Sequence, residues 1–173
     1  MPQNAMDNPL VLPMLGLLAE SPRHQYALFA ELRDRYAFLR VKTSTVYTLV
    51  GTLERRGLVE LDETVTLTKA GLAELARRVE AHLLEADPNA DPKFAIALAY
   101  LGVLPREHAA VLLRERAGKL KEDLRATSEV LRRSGVAELH MIEGHFLASR
   151  LRHDVAWLNR VADRIDRSEL NWP

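Results

Sequence analysis

The segment from Thr43 to Gly71 restricts the fold of this chain more than any other, because its pattern of apolar residues changes type along its length. Residues 44–56 repeat apolar side chains at intervals of three and four, which predicts an amphipathic helix. Residues 59–61 and 65–67 instead alternate apolar and polar side chains on either side of Asp62-Glu63-Thr64. This alternation predicts a short two-stranded hairpin directly after the helix.

The 44–56 helix has two chemically different faces. One face is apolar and is predicted to lie on the core, with Val46, Leu49, Val50 and Leu53. The opposite face carries small hydroxyl side chains, with Tyr47 at its edge, and the helix ends in two arginines. Small polar side chains can enter a groove of DNA, and arginines bind phosphates. The pattern therefore predicts a helix that reads DNA.

Three further helices are predicted around this segment. The first lies within residues 8–20 and begins either at Pro9, behind Asn8, or at Pro13, because proline is tolerated only in the first turn. The second runs over about 25–36, with its inward face formed by Tyr26, Leu28, Phe29 and Leu32.

Gly57 is predicted to end the 44–56 helix, and Thr68 to cap the third of these helices, which extends to about Leu84. The order helix, helix-turn-helix, hairpin and helix is that of a winged helix-turn-helix with a short two-stranded wing. We assign it to residues 8–86.

Residues 92–167 are predicted to form a C-terminal helical dimerisation domain, after a polar joint with two prolines at 87–92. Two of its helices carry apolar stripes advancing by three and four residues, as in packed helix pairs. The last, about 136–167, would be roughly 45 Å long at ~1.5 Å per residue. That length exceeds a small monomeric core and favours pairing with a second copy; an intramolecular bundle is the alternative.

Composition supports a mainly α protein and restricts its chemistry. Of 173 residues, 47% are apolar, 28% are charged and only 6% are aromatic, and there is no cysteine, which excludes disulfides and thiolate metal sites. Net charge is zero, but residues 23–60 carry seven basic and four acidic side chains. This excess suits phosphate contacts, although arginine is also common on solvated faces. The apolar run 9–19 is too short to span a membrane, so we expect a cytoplasmic protein.

Several short motifs, in their order and spacing, resemble the PadR family of bacterial transcriptional regulators. They are LGLLAE at 15–20, HQYAL at 24–28, TVY at 45–47, LERRGLV at 53–59 and LTKAG at 67–71. The second block resembles the C-terminal domain of longer members, so the resemblance covers nearly all of residues 9–167. It implies a homodimeric repressor of operator DNA that is often released by a small-molecule effector. We expect no cofactor.

The chain also departs from the family pattern. Thr43-Ser44 replace the usual Pro-Gly, Thr48 replaces a proline, and Gln25 replaces a glycine, whereas Gly51 is an unusual glycine in mid-helix. The wing tip, Asp62-Glu63, is acidic where the family has a basic wing. We therefore expect the helix-turn-helix to provide the DNA contacts.

The predicted DNA-binding residues fall into two groups. The base-edge group, whose hydroxyl and methyl groups can meet bases, is Thr43, Ser44, Thr45 and Thr48. The phosphate group is Arg23, Arg40, Lys42, Arg55 and Arg56. Tyr47 is assigned to the interface through its hydroxyl, with a core tyrosine as the alternative.

An effector pocket is predicted in the second block from Phe94, Tyr100, His145 and Trp157, although aromatic residues at helical spacing are also core fillers. The histidines lack the i, i+4 spacing of two metal ligands on adjacent turns, so we expect no metal site. Catalytic motifs are also lacking, which indicates that the chain is not an enzyme. The alternative function is a winged-helix protein-interaction module without DNA binding, which the acidic wing tip favours.

Overall fold

The computed structural model describes residues 5–88 and 90–173 and divides the chain into two compact units, with the division between Val103 and Leu104. Asn89, within the predicted polar joint, lies outside the described residues. Among the helices of the described ranges, none is both long and apolar enough to cross a membrane.

The first unit contains five α-helices and a two-stranded antiparallel sheet within its described residues. The elements are α1 Val11–Glu20, α2 Gln25–Arg35, α3 Thr43–Arg55, β1 Val59–Leu61, β2 Val65–Leu67, α4 Lys69–Glu85 and α5 Pro92–Ala99, with short 3₁₀ turns at Ala5–Asp7, Ala37–Leu39 and Leu101–Val103. In the hairpin, Val59 pairs with Leu67 and Leu61 with Val65. This is the predicted mainly α fold with a winged helix-turn-helix and a short wing.

The first helix begins at neither predicted proline. The Asn8 side-chain oxygen accepts a hydrogen bond from the Leu10 amide at 2.9 Å, and the helical residues start at Val11. Pro13 is then in the first turn, where a helix does not need its missing amide hydrogen. Residues 11–18 of α1 are all buried, so this helix forms the centre of the unit.

The segment after α3 explains the LTKAG motif in physical terms. Gly57 ends the helix in the left-handed conformation, with φ of 69°. The Thr68 hydroxyl donates to the Gly57 carbonyl at 2.7 Å and accepts from the Gly71 amide at 3.0 Å, which caps α4. A side chain at Gly71 would place its Cβ 2.0 Å from the Leu58 carbonyl oxygen. Only glycine therefore lets α4 start this close to the wing.

The inward face of α2 is narrower than the sequence predicts. Leu28 and Leu32 are buried, and Phe29 is half-buried. Tyr26, which was expected to face inward, is 63% exposed, and that expectation is wrong. Its ring lies 5.9 Å from that of Phe29, so the two aromatic side chains share the outer edge of the helix.

Residues 92–103 cluster with the first unit, whereas the sequence analysis assigned them to the second domain. Helix α5 packs on α1 and α4, and the Tyr100 hydroxyl lies 2.7 Å from that of Tyr36, both rings being buried. The Tyr100 ring also covers Gly16, where a Cβ would come within 2.3 Å of it. The functional division into 8–86 and 92–167 stays a prediction.

The second unit is an antiparallel helical hairpin of α6, Arg106–Arg133, and α7, Ile142–Asp166. Near the turn, Gly144 lies against the Leu131 side chain. At the other end of the hairpin, Arg114 forms ion pairs with Asp163 and Asp166, with N···O distances of 2.8 and 2.6 Å. The buried seam residues include Leu113, Leu120, Leu151, Leu158, Ala162 and Ile165. Helix α7 begins six residues later than the predicted 136, because a 3₁₀ turn, Glu138–Met141, comes first. The left-handed Gly135 lies just after α6.

Candidate nucleic-acid interface

Helix α3 presents a polar outer face from a firmly held apolar base. Its four buried residues are those that the sequence predicts, Val46, Leu49, Val50 and Leu53. The opposite side exposes Ser44 and Thr48, and Thr45 is half-buried beside them. The helix that the sequence predicts to read DNA therefore has its small hydroxyl residues in solvent.

Two of the outer hydroxyls already use their hydrogen atoms within the helix. Thr48 Oγ1 donates to the Ser44 carbonyl at 2.9 Å, and Thr52 Oγ1 donates to the Thr48 carbonyl at 3.0 Å. Each oxygen can still accept a hydrogen bond, and each methyl group can make apolar contacts. A base contact by Thr48 in this conformation would thus be made to an amino group or to the thymine methyl group.

The start of α3 is suited to bind phosphate. Lys42 occupies the N-cap position in an extended conformation, and no side chain caps the first turn. The first backbone amides of a helix need partners from outside the helix, and the helix dipole favours an anion there. Thr43 and Ser44 in this turn are both exposed, so the amides and the Lys42 ammonium group lie at one accessible end.

Arg40 precedes this end in a left-handed conformation, with φ of 50° and ψ of 55°. A residue with a Cβ has a free-energy cost of about 1–2 kcal/mol there. Such strain at a surface turn is typical of functional positions. Glycine would avoid this free-energy cost, so the arginine at this turn is a candidate for a functional side chain.

The predicted phosphate-binding residues differ in how they are held. Arg23 is engaged within the fold: it donates to Glu20 at 3.1 Å and to the Leu17 carbonyl at 3.3 Å, and its backbone pairs with Val65 of the wing. Arg55 donates to Thr52 Oγ1 at 3.0 Å. Arg40, Lys42 and Arg56 are exposed, and within the described ranges none of the three pairs with a carboxylate. These three are the cations available to a polyanion.

The wing contributes little positive charge. Its tip, Asp62-Glu63, is exposed, and the Glu63 carbonyl oxygen lies 2.7 Å from His24 Nδ1 at the start of α2. That contact ties the tip to the helix-turn-helix. It depends on a pairing between residues 39 positions apart, which no local sequence pattern indicates.

Exposed aromatic residues border the same motif. Tyr47 is 44% exposed, which leaves its assignment between interface and core as a prediction. Sequence reasoning missed Tyr26 and Phe38, which are both more than half exposed. Phe38 lies in the 3₁₀ turn before Arg40, and its only sequence signal is its position between α2 and α3.

The four predicted effector residues are in different environments. Phe94 and Tyr100 are buried in the first unit. His145 lines a shallow groove of about 360 Å³ within the second unit, and Trp157 lies further along the same helix α7. Twelve residues along a helix correspond to roughly 18 Å, so His145 and Trp157 cannot hold one small molecule together. Binding of an effector by these residues stays a prediction.

Residues 14–77 match the profile of the Transcriptional regulator PadR-like family. This match confirms the family resemblance for the winged helix-turn-helix. None of the curated proteins matches the chain.

Among solved structures, the chain is similar to PadR of Bacillus subtilis, with 20% identity over 96% of this chain and 98% of that chain and a TM-score of 0.41. A structure of the same Bacillus subtilis protein with operator DNA is also similar to this chain. The identity is 21% over 90% of this chain and 98% of that chain, and the TM-score is 0.38. A third structure, with p-coumaric acid, has 21% identity, 91% and 99% coverage and a TM-score of 0.40.

Proposed function

From the match of residues 14–77 to the PadR-like family of transcriptional regulators, we propose that this chain is a sequence-specific, DNA-binding repressor of the cytoplasm. The observation that carries the proposal is the start of α3. Exposed hydroxyl residues, an uncapped helix end and Lys42 lie together there, on a helix whose other face is buried. Amides and the lysine would hold phosphates, while Ser44 and Thr48 would meet base edges.

The repressor would act as a homodimer. A two-fold dimer presents two reading helices to half-sites about one turn of DNA apart, ~34 Å. The second unit offers an apolar surface near its helical turn, formed by Val136, Leu139, Ile142 and Phe146, all of which are exposed. Exposed apolar side chains gathered around one helical turn suit a protein–protein contact. Release from DNA by a small-molecule effector completes the proposal.

The decisive test removes the two available cations before the reading helix. The Arg40→Ala, Lys42→Ala variant should lose retention of DNA from upstream of its own gene in a gel shift with excess nonspecific competitor. The two side chains lie on the surface, so thermal unfolding and oligomeric state should stay unchanged.

Arg77→Ala is the matched control, because Arg77 is an exposed arginine of α4 outside the helix-turn-helix. It should bind DNA as the unchanged protein does. Retention of the competitor-resistant complex by the Arg40, Lys42 variant would show that the reading surface is assigned wrongly.

The acidic wing tip supports one alternative, a protein-interaction module without DNA binding. Selection of bound fragments from the whole genome distinguishes the two functions. Enrichment of one sequence motif by the unchanged protein supports the repressor, and absence of any enriched fragment supports the protein-interaction module.

A further inference from the structure

The outer face of α3 carries few groups that can form paired hydrogen bonds with a base. Such contacts with guanine or adenine require a guanidinium, ammonium or amide side chain. None of these side chains occurs in residues 43–54 of α3. The first is Arg55, in the last turn, and its guanidinium group donates to Thr52 Oγ1 at 3.0 Å. The face before it must therefore distinguish bases by single hydroxyl groups or by apolar contacts.

Thr48 is exposed in the middle of this face, and its hydroxyl hydrogen is already used. Its Oγ1 donates to the Ser44 carbonyl of the same helix at 2.9 Å. In this conformation Thr48 cannot donate to the acceptors that bases present in the major groove, such as thymine O4 or purine N7. The groups that it can still offer to a base are its oxygen lone pairs and its methyl group.

Gly51 leaves space beside Thr48. The two residues are three positions apart in α3 and are therefore neighbours on the helix surface. A Cβ at Gly51 would make only an ordinary contact, 3.5 Å from Arg55 Nη1, so packing within the chain does not require glycine. The missing Cβ leaves a depression about as deep as a methyl group. The apolar group that a base presents in the major groove is the C5-methyl group of thymine.

Cations without a carboxylate partner in the described ranges lie at both ends of α3. Arg40 and Lys42 precede the helix, Arg56 follows it, and all three are exposed. Phosphate contacts fix the register and orientation of a protein on DNA. Contacts at both ends would hold the middle of the helix, with Thr48 and Gly51, against the base edges.

We propose that Thr48 is a specificity-determining residue that reads thymine. Its methyl group contacts the C5-methyl group of the base, which enters the depression over Gly51. An amino group of adenine or cytosine could instead donate to Thr48 Oγ1, but that contact would leave the depression empty. The inference rests on the proposed function, because it requires α3 to lie in the major groove of the operator.

Replacement of thymine by uracil in the operator tests the contact, because uracil keeps the base pair and lacks only the methyl group. The probe is the DNA fragment that resists nonspecific competitor, with its thymines replaced one at a time. At one position in a half-site, uracil should weaken binding about fourfold, the contribution of one buried methyl-sized group. Equal binding of every uracil-containing fragment and the unchanged fragment would overturn the proposal.

Two variants of Thr48 assign the methyl contact to this residue. Thr48→Ser removes the methyl group and keeps the hydroxyl, so it should bind the thymine and uracil fragments equally. Thr48→Val keeps a methyl group and removes the hydroxyl, so it should retain the preference for thymine. Thr127→Ser is the matched control, because Thr127 is a half-buried threonine of α6. It should also retain the preference.

The contrary outcomes are distinct. A preference for thymine that persists in Thr48→Ser would assign the contact to another residue and overturn the proposal. Loss of binding by Thr48→Val, with no effect of uracil, would show that Thr48 reads an amino group instead. A competitor-resistant complex without any preference for thymine over uracil would refute this inference and leave the proposed function intact. Failure to bind any DNA fragment would overturn both.

Discussion

At the scale of single residues, substitution of Gly51 should affect stability and DNA binding in different ways. It lies on the outer face of α3 between Thr48 and Thr52, and a Cβ there would meet Arg55 Nη1 at 3.5 Å, an ordinary contact. Packing within the chain therefore does not require glycine. Gly51→Ala should stabilise the protein by roughly 0.5–1 kcal/mol, since alanine favours a helix interior. Thermal unfolding should show a rise of about 1–4 °C.

The same substitution should weaken DNA binding if the α3 backbone approaches DNA at this position. Gly118→Ala is the matched control, because Gly118 lies within α6 with no atom near its added Cβ. It should stabilise the protein similarly and leave DNA affinity unchanged. Equal DNA affinity of Gly51→Ala and the unchanged protein would contradict a close approach at Gly51.

At the scale of elements, the Tyr36–Tyr100 contact fixes α5 against the helix-turn-helix. Burial raises the pKa of Tyr100, and its hydrogen bond to Tyr36 raises it further, so Tyr100 keeps its hydroxyl hydrogen. Tyr100→Phe would leave the Tyr36 hydroxyl buried without this partner. The expected loss is about 1–3 kcal/mol of unfolding free energy. Urea denaturation measures it.

Tyr47→Phe provides the comparison, because the Tyr47 ring is partly in solvent and water can replace any partner of its hydroxyl. It should change stability by less than about 0.5 kcal/mol. If both variants lost the same stability, the buried contact would not be the cause.

The same contact shows where sequence-based prediction stops. The apolar periodicity of α3 and the alternation of the hairpin are local patterns, and the structure confirms both. The assignment of α5 to the first unit depends instead on Tyr100 meeting Gly16 and Tyr36, which are distant along the chain. Periodicity indicates that an element exists and which face is apolar, but not which element covers that face.

In the candidate site, too, local patterns could be predicted and contacts between distant residues could not. The exposed hydroxyl face of α3 could be predicted, because a buried helix face implies an opposite outer one. The contacts of Arg23 with Glu20 and with the backbone of Val65 could not be predicted in full. Val65 lies 42 positions later in the chain, in the wing. The left-handed conformation of Arg40 has no local signal either, since glycine is the residue expected there.

At the scale of the whole molecule, the proposed repressor depends on the proposed dimer. Helix α7 has buried residues from Ala148 onward, but its first turns and the preceding 3₁₀ turn leave apolar side chains in solvent. Leu139 is 77% exposed and Phe146 is 63% exposed. Introduction of charge at both positions, as Leu139→Glu with Phe146→Glu, should give a monomer in sedimentation equilibrium, because a carboxylate would lose its hydration in an apolar interface.

The salt dependence of DNA binding then reports how many copies engage the operator. A dimer neutralising about six to eight phosphates should show a slope of log K against log salt of roughly −5 to −7. The monomeric variant, with half the contacts, should show about half that slope. Val111→Glu, a charge on an exposed valine at the far end of α6 from the helical turn, should leave both assembly and slope unchanged. A monomeric variant that kept the full slope would mean that one copy makes all the phosphate contacts, and the two-fold arrangement of reading helices would then be wrong.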